Sequence, residues 1–210
     1  FVQTGNLNNS NGWFIDDVSV TASTSSFPFS ESFNAPGPDL PLYWTTQSEG
    51  EGIVNKWRVS ESDLAGGVPN EVFLDYQIVD PGTTRLILPV FNTVGRSVLA
   101  LSFKHRYWCY APGVQLKVQT SKDGMTWTDE SWLVEANDNI GPETVTAYIT
   151  HNLNSGSTFI AFVQTGNLNN SNGWFIDDVV IEGGNALPAR VDFDGDGQED
   201  ILWRYQGSGA

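Results

Sequence analysis

The string FVQTGNLNNSNGWFIDDV fills residues 1–18 and returns letter for letter at residues 162–179. No other feature constrains the fold as tightly. Whatever element the second copy forms, the first forms too, in another unit of the same kind. The offset of 161 residues is about one domain, so the chain reads as a window on a tandem array. The first copy runs on into SVTASTSSFPFSESF and the second into VIEGGNALPARVDFDGDG. The array therefore continues once and then gives way to a different module. With no initiating Met, no signal peptide and no apolar run of membrane-spanning length, the sequence reads as part of a longer secreted protein without membrane insertion.

Charge narrows the partners. There are 25 acidic and 10 basic residues, a formal net charge of -15. That excludes a nucleic-acid binder, which needs lysine and arginine against phosphate, and suits an extracellular protein that holds divalent cations. A single cysteine, Cys109, rules out a disulfide framework and reads as a small buried hydrophobe. Alternating segments separated by turn clusters such as APGP, DPGTT and SKDG predict strands. In SVLALSFKH, Leu99, Leu101 and Phe103 share one face; in VQLKVQT, Val114, Leu116 and Val118 do. RLILP, ETVTAYIT, STFIAFVQT, GWFIDDVVI and residues 72–76 are further strands. About ten strands in roughly 155 residues imply two packed antiparallel sheets. The fold class is all-β, an antiparallel jelly-roll β-sandwich flanked by partial β modules. Residues 1–21 read as the closing hairpin of a preceding copy, 22–27 as a linker, 28–182 as the complete sandwich, 183–190 as a second linker and 191–210 as the start of another module.

The sandwich resembles the MAM-like jelly rolls of the cleaved-adhesin or choice-of-anchor J type. The resemblance rests on FSESF followed by Pro41 and Trp44, on NKWRVS, on RLILPVFNTVGRSVLALSFKHRY with VQTSKDGMTWT, and on the exit GWFIDDVVI. Asn34 stands where the family often has an acid, and RYWCYAPG is unusual for it. The resemblance implies an accessory adhesive or binding domain rather than a catalytic one.

Period two along GWFIDDVVI puts Phe175, Asp177, Val179 and Ile181 on one face and turns Asp177 inward. A buried carboxylate needs a partner or a metal. Glu31 on the first strand is the natural companion, since first and last strands of such sandwiches lie close, and oxygen ligands suit Ca²⁺. Asp177 is the first ligand expected and Asp178 the second; the resemblance implies a structural calcium there. The alternative is that Asp177 and Asp178 cap turns or pair with Arg58 or Arg96. A sharper metal signal is DFDGDGQED, with acids Asp192, Asp194, Asp196 and Asp200, a carbonyl from Gln198, and Gly197 where the loop must turn. Followed by ILWRY, it resembles the FG-GAP or VCBS repeats of integrin-like β-propellers. Dockerin and EF-hand loops need an acid at the twelfth position, where Trp203 stands.

SKDGMTWT resembles a shortened Asp-box, a hairpin turn with a structural role. In RYWCYAPG, Tyr107, Trp108 and Tyr110 offer aromatic platforms for a sugar face, or else close the end of the core. No HExxH helix, GxSxG elbow or phosphate loop is present, and the histidines are only His105 and His151. Paired acids could serve a glycosidase, but calcium accounts for those with definite positions. Two functions follow: a calcium-stabilised adhesion module binding cell-surface carbohydrate, or a spacer in a head-to-tail filament whose copies join by strand addition. Two structural expectations accompany them. Residues 162–165 and 174–181 should be antiparallel neighbours joined by the loop 166–173, and residues 1–20 should pair with another copy.

Overall fold

A computed structural model describes residues 24–183; the segments read as a preceding hairpin and as a following calcium repeat lie outside the described residues. Eleven strands make two antiparallel sheets. In chain order they are β1 (Phe29–Glu31), β2 (Thr45–Glu49), β3 (Trp57–Ser60), β4 (Glu71–Leu74), β5 (Gly82–Ile87), β6 (Leu99–Cys109), β7 (Val114–Ser121), β8 (Thr128–Ala136), β9 (Ile140–Ile149), β10 (Phe159–Gly166) and β11 (Ser171–Gly183). One sheet runs β3-β4-β11-β6-β9, with β1 also paired to β11; the other runs β2-β5-β10-β7-β8. The expected all-β sandwich is what forms.

Alternation decides which side chains enter the core. Leu99, Leu101 and Phe103 of β6 and Val114, Leu116 and Val118 of β7 are fully buried between the sheets. Phe103 meets Phe162 of the opposite sheet edge-on at 4.8 Å, and Trp57 meets Trp174 at 5.7 Å. The polar ends of the core indoles are satisfied: Trp57 Nε1 donates to Thr84 Oγ1 at 3.0 Å and Trp174 Nε1 to His105 Nδ1 at 3.3 Å. Since an indole only donates, His105 carries its proton on Nε2, facing Glu143 Oε1 at 3.2 Å.

The topology corrects one expectation. Strands β10 and β11 are not neighbours: β10 pairs with β5 and β7, whereas β11 pairs with β4, β6 and β1. The Asn-rich connection is not a hairpin loop. It is a single 3-10 turn over Leu168–Asn170, capped by the Asn167 side chain, which accepts from Asn169 N. It carries the chain from one sheet to the other, so Phe162 and Trp174 face each other across the core at 6.1 Å. Both strands are apolar enough to be central, and a sandwich has one centre per sheet.

A second correction lies within β11. Its register against β6 passes from Asp177↔Lys104 to Val180↔Ser102, a bulge at which Asp178 adopts φ +47°. One extra residue reverses the alternation. Trp174 and Ile176 point into the core before the bulge, Val179 and Ile181 after it. Phe175 and Asp177 therefore lie on the outer face, and the single-face set expected from period two is split. At the other end of the sandwich, Ser25 and Phe27, read as linker, already pack on it: Ser25 N donates to Val90 O at 2.8 Å and Phe27 stacks on Phe91 at 5.3 Å.

Candidate functional site

The bulge in β11 builds the first site. On one edge β11 pairs with β4 through residues 174–176 and with β1 through residues 179–181. Asp177 and Asp178 fall in the seam between those two partners. Asp177 is 0% exposed, buried under the loop 61–70 rather than by the sandwich interior. A Cβ added to Gly67 would lie 1.6 Å from its Oδ2, so only glycine lets the loop close over the carboxylate. Oδ1 accepts from Asp178 N at 2.7 Å, whereas Oδ2 is buried with no hydrogen-bond partner. Burial, with Asp178 and Glu71 adding repulsion, pushes the Asp177 carboxyl up to about 7.

Its neighbours are differently engaged. Asp178 bonds Lys104 Nζ at 2.8 Å, and that ammonium also donates to Gly66 O at 3.0 Å; the Asp178 hydrogen bond holds the Lys104 pKa above its usual value. Neither Arg58 nor Arg96 is the partner: Arg58 lies at 3.5 Å from Asp75, and Arg96 over the Phe27 ring at 4.6 Å. Glu71 accepts from Leu64 N and Ala65 N at 2.9 and 2.6 Å. Glu31, opposite Val179, accepts from Phe33 N at 2.8 Å. Among the described residues no group of three or more acidic, His or Cys side chains could hold a metal on its own. The orphaned Oδ2 of Asp177 still fits a hard cation, whose shell readily draws on main-chain carbonyls and water. Asp192, Asp194, Asp196, Gln198 and Asp200 lie outside the described residues.

The structure separates the three aromatic residues. Tyr107 is 0% exposed, in the core, and burial pushes its hydroxyl up to about 12; it cannot meet a surface ligand. Trp108 is half-buried on the outer face, edge-on to Phe175 at 4.9 Å with Arg106 over its ring at 5.6 Å. Tyr110, just past β6, is 69% exposed. Cys109 is half-buried, its thiol 3.3 Å from Ala111 O and pushed up by burial.

A further constellation sits on the outward face of the five-stranded sheet, where the sequence reading placed no ligand-binding residue. Arg85, 5% exposed, lies across the face from β5. Its Nε donates to Gln119 Oε1 on β7 at 2.8 Å and its Nη1 pairs with Glu49 on β2. Gln119 Nε2 donates to Asp129 Oδ1 on β8 at 2.6 Å, and Lys117 Nζ to Asp129 Oδ2 at 3.0 Å. Trp127 stands over this array, its Nε1 donating to Gln47 Oε1 at 2.8 Å and its ring 5.2 Å from the Arg85 guanidinium carbon. The turn that presents Trp127 is the expected Asp-box. Asp123 Oδ1 accepts from Met125 N and Thr126 N at 2.8 and 2.7 Å, and Ser121 Oγ from Gly124 N at 2.9 Å. Those bonds hold the Asp123 carboxyl well below its usual value. Sequence spacing could not reveal the array, because the partners of Arg85 lie 34 to 38 residues from it and Gln47 lies 80 from Trp127. The Trp beside an Asp-box was the one available signal.

No family model matches the chain, and no curated protein is similar in sequence. Solved structures share its fold. The K1 cleaved adhesin domain of Lys-gingipain from Porphyromonas gingivalis is 16% identical with a TM-score of 0.50, over 76% of this chain and 99% of that one. The CBM22-1 xylan-binding domain of Paenibacillus barcinonensis Xyn10C is 14% identical with a TM-score of 0.50, over 79% and 99%. An arabinose-bound α-L-arabinofuranosidase is 9% identical with a TM-score of 0.51, over 72% of this chain but 25% of its own length. The resemblance to a cleaved-adhesin jelly roll thus holds at the level of fold.

Proposed function

We propose that the chain is a non-catalytic binding module of an extracellular repeat protein, stabilised by calcium and directed at surface glycans. The observation that carries this reading is the half-exposed indole of Trp127, held among carboxylates and amides on an open sheet face. That is the chemistry of sugar recognition: a ring for the C–H face and acceptors for hydroxyls. Adhesin and xylan-binding domains of the same fold support it. Of the histidines, His105 is buried in the core against Trp174, and His151 helps hold the Glu130 carboxylate at 3.1 Å. Calcium would be held at Asp177 with Glu31 and main-chain oxygens, and its charge would offset the burial of the carboxylate. A second calcium would be held in the downstream FG-GAP or VCBS-type loop by Asp192, Asp194, Asp196, Gln198 and Asp200. Calorimetric titration of the chelator-treated chain with Ca²⁺ should give two sites, reduced to one by Asp196→Asn. A glycan array in Ca²⁺ tests the ligand class, and an array without a single specific signal overturns it.

The identical segment at residues 1–18 favours a second reading, a spacer whose copies join head to tail by strand addition. Sedimentation in Ca²⁺ separates the two: concentration-dependent growth that is lost on deleting residues 1–20 supports the spacer, and a monomer at all concentrations removes it.

A further inference from the structure

We infer that the outward face of the five-stranded sheet is where a neutral oligosaccharide docks, with Trp127 as stacking platform and Glu49 and Asp129 as hydroxyl acceptors. The inference rests on the reading of the chain as a glycan-binding module and says where on it the glycan lies.

Four features of the face lead there. The Trp127 ring is fixed before any ligand arrives, with its N–H taken by Gln47 and one side backed by the Arg85 guanidinium. The side chain stays partly exposed, and a platform already immobilised loses little entropy on binding. The acceptors are equally fixed. Glu49 is held by Arg85, and Asp129 by Lys117 and Gln119, yet their side chains remain 55% and 45% exposed. Each thus keeps lone pairs turned to solvent, where a sugar hydroxyl can donate.

The third feature is charge. Two cations bond two carboxylates here, so the patch is locally balanced on a chain of net charge -15. That selects an uncharged ligand over an anion or a cation. The fourth is what the acceptors flank. On the outward side Phe159, Ala161 and Val163 of the central strand form one apolar cluster with Ile87 and Trp127, and the carboxylates of Glu49 on β2 and Asp129 on β8 stand on either side of it. Trp108 offers less: the groups it packs on, Phe175 and Arg106, contain no acceptor.

The test uses the whole 210-residue chain in Ca²⁺, run through native gels cast with soluble xylan, galactan or β-glucan. At least one polysaccharide should retard the wild type. Trp127→Ala and Asp129→Asn should each weaken that retardation about tenfold or more, the scale of losing one stacked ring or one charged acceptor. Melting temperatures are measured alongside. If Trp127→Ala does not fold, Glu49→Gln and Asp129→Asn, both at half-exposed carboxylates, carry the test. Retardation that survives all of these substitutions but is lost in Trp108→Ala places the glycan on the other sheet and overturns this inference while leaving the glycan-binding reading intact. A wild type retarded by none of the three polysaccharides overturns both.

Discussion

Asp177→Asn should make the calcium-free protein more stable at alkaline pH. In the folded chain the Asp177 carboxyl sits at about 7 against an ordinary value of 3.8, mainly because it is buried. A raised carboxyl favours the folded state fully below about pH 4, and that advantage is lost as pH rises through about 7. The whole difference corresponds to about 4 kcal/mol. Asparagine keeps the shape and keeps an oxygen to accept from Asp178 N, but has no charge to desolvate. With EGTA at pH 8, the variant should therefore exceed the wild type by about 2–4 kcal/mol, or roughly 5–15 °C in melting temperature for a domain of this size. At pH 4.5 the gap should shrink to about 1 kcal/mol. Calcium should close most of that gap, adding about 2.7 kcal/mol to the wild type at a hundredfold excess over its Kd and little to the variant. Urea unfolding followed by tryptophan fluorescence, at both pH values with EGTA and with Ca²⁺, reads all four quantities. A variant no more stable than wild type in EGTA at pH 8 refutes the buried-charge argument. Equal stabilisation of both proteins by calcium refutes Asp177 as a ligand.

Gly67→Ala should remove the Asp177 share of the calcium response and destabilise by about 1–3 kcal/mol, because its methyl group would meet Asp177 Oδ2; a calcium-dependent melting shift equal to that of the wild type argues against the cradle. Glu130 is buried and accepts from Thr120 Oγ1, Thr150 N and His151 N at 2.8, 3.0 and 3.0 Å. Glu130→Ala should cost about 3 kcal/mol and speed hydrogen exchange at the Thr150 and His151 amides; unchanged exchange there shows that another group holds the turn. The Cys109 thiol, pushed up by burial, should react with iodoacetamide at least about tenfold more slowly in the native protein than in urea, and equal rates contradict its packing.

Sequence legibility followed the range of the interactions. Strands β6 and β7 were legible because a single repeated choice, apolar then polar, sets their burial. Strand β8 was not: Asp129, Ser131, Leu133 and Glu135 are exposed while Trp132 and Val134 are only half-covered, the mark of an edge strand with no clean apolar face. The burial of Asp177 was legible, but the surface that buries it was not. Alternation predicted the sandwich interior, and one extra residue at Asp178 turned the carboxylate outward beneath a loop. The sheet membership of β10 and β11 was also beyond local pattern, since both strands are apolar and separated by a turn-like stretch. Only pairing with β5, β7, β4 and β6 tells them apart.

The position of β11 in the chain has a kinetic consequence. By Gly166 every strand of the five-stranded sheet has been made. The six-stranded sheet is then still in pieces, because β1, the β3-β4 pair and the β6-β9 pair are joined only through β11, the last of the described strands in chain order. Glu31 waits for Val179, a closure across nearly the whole domain, and such distant pairings form slowly. During synthesis the chain therefore exists as one finished sheet with the apolar faces of unjoined strands beside it. The thirteen residues of β11 are what join those pieces, so a chain cut before Ser171 lacks the strand that holds its six-stranded sheet together.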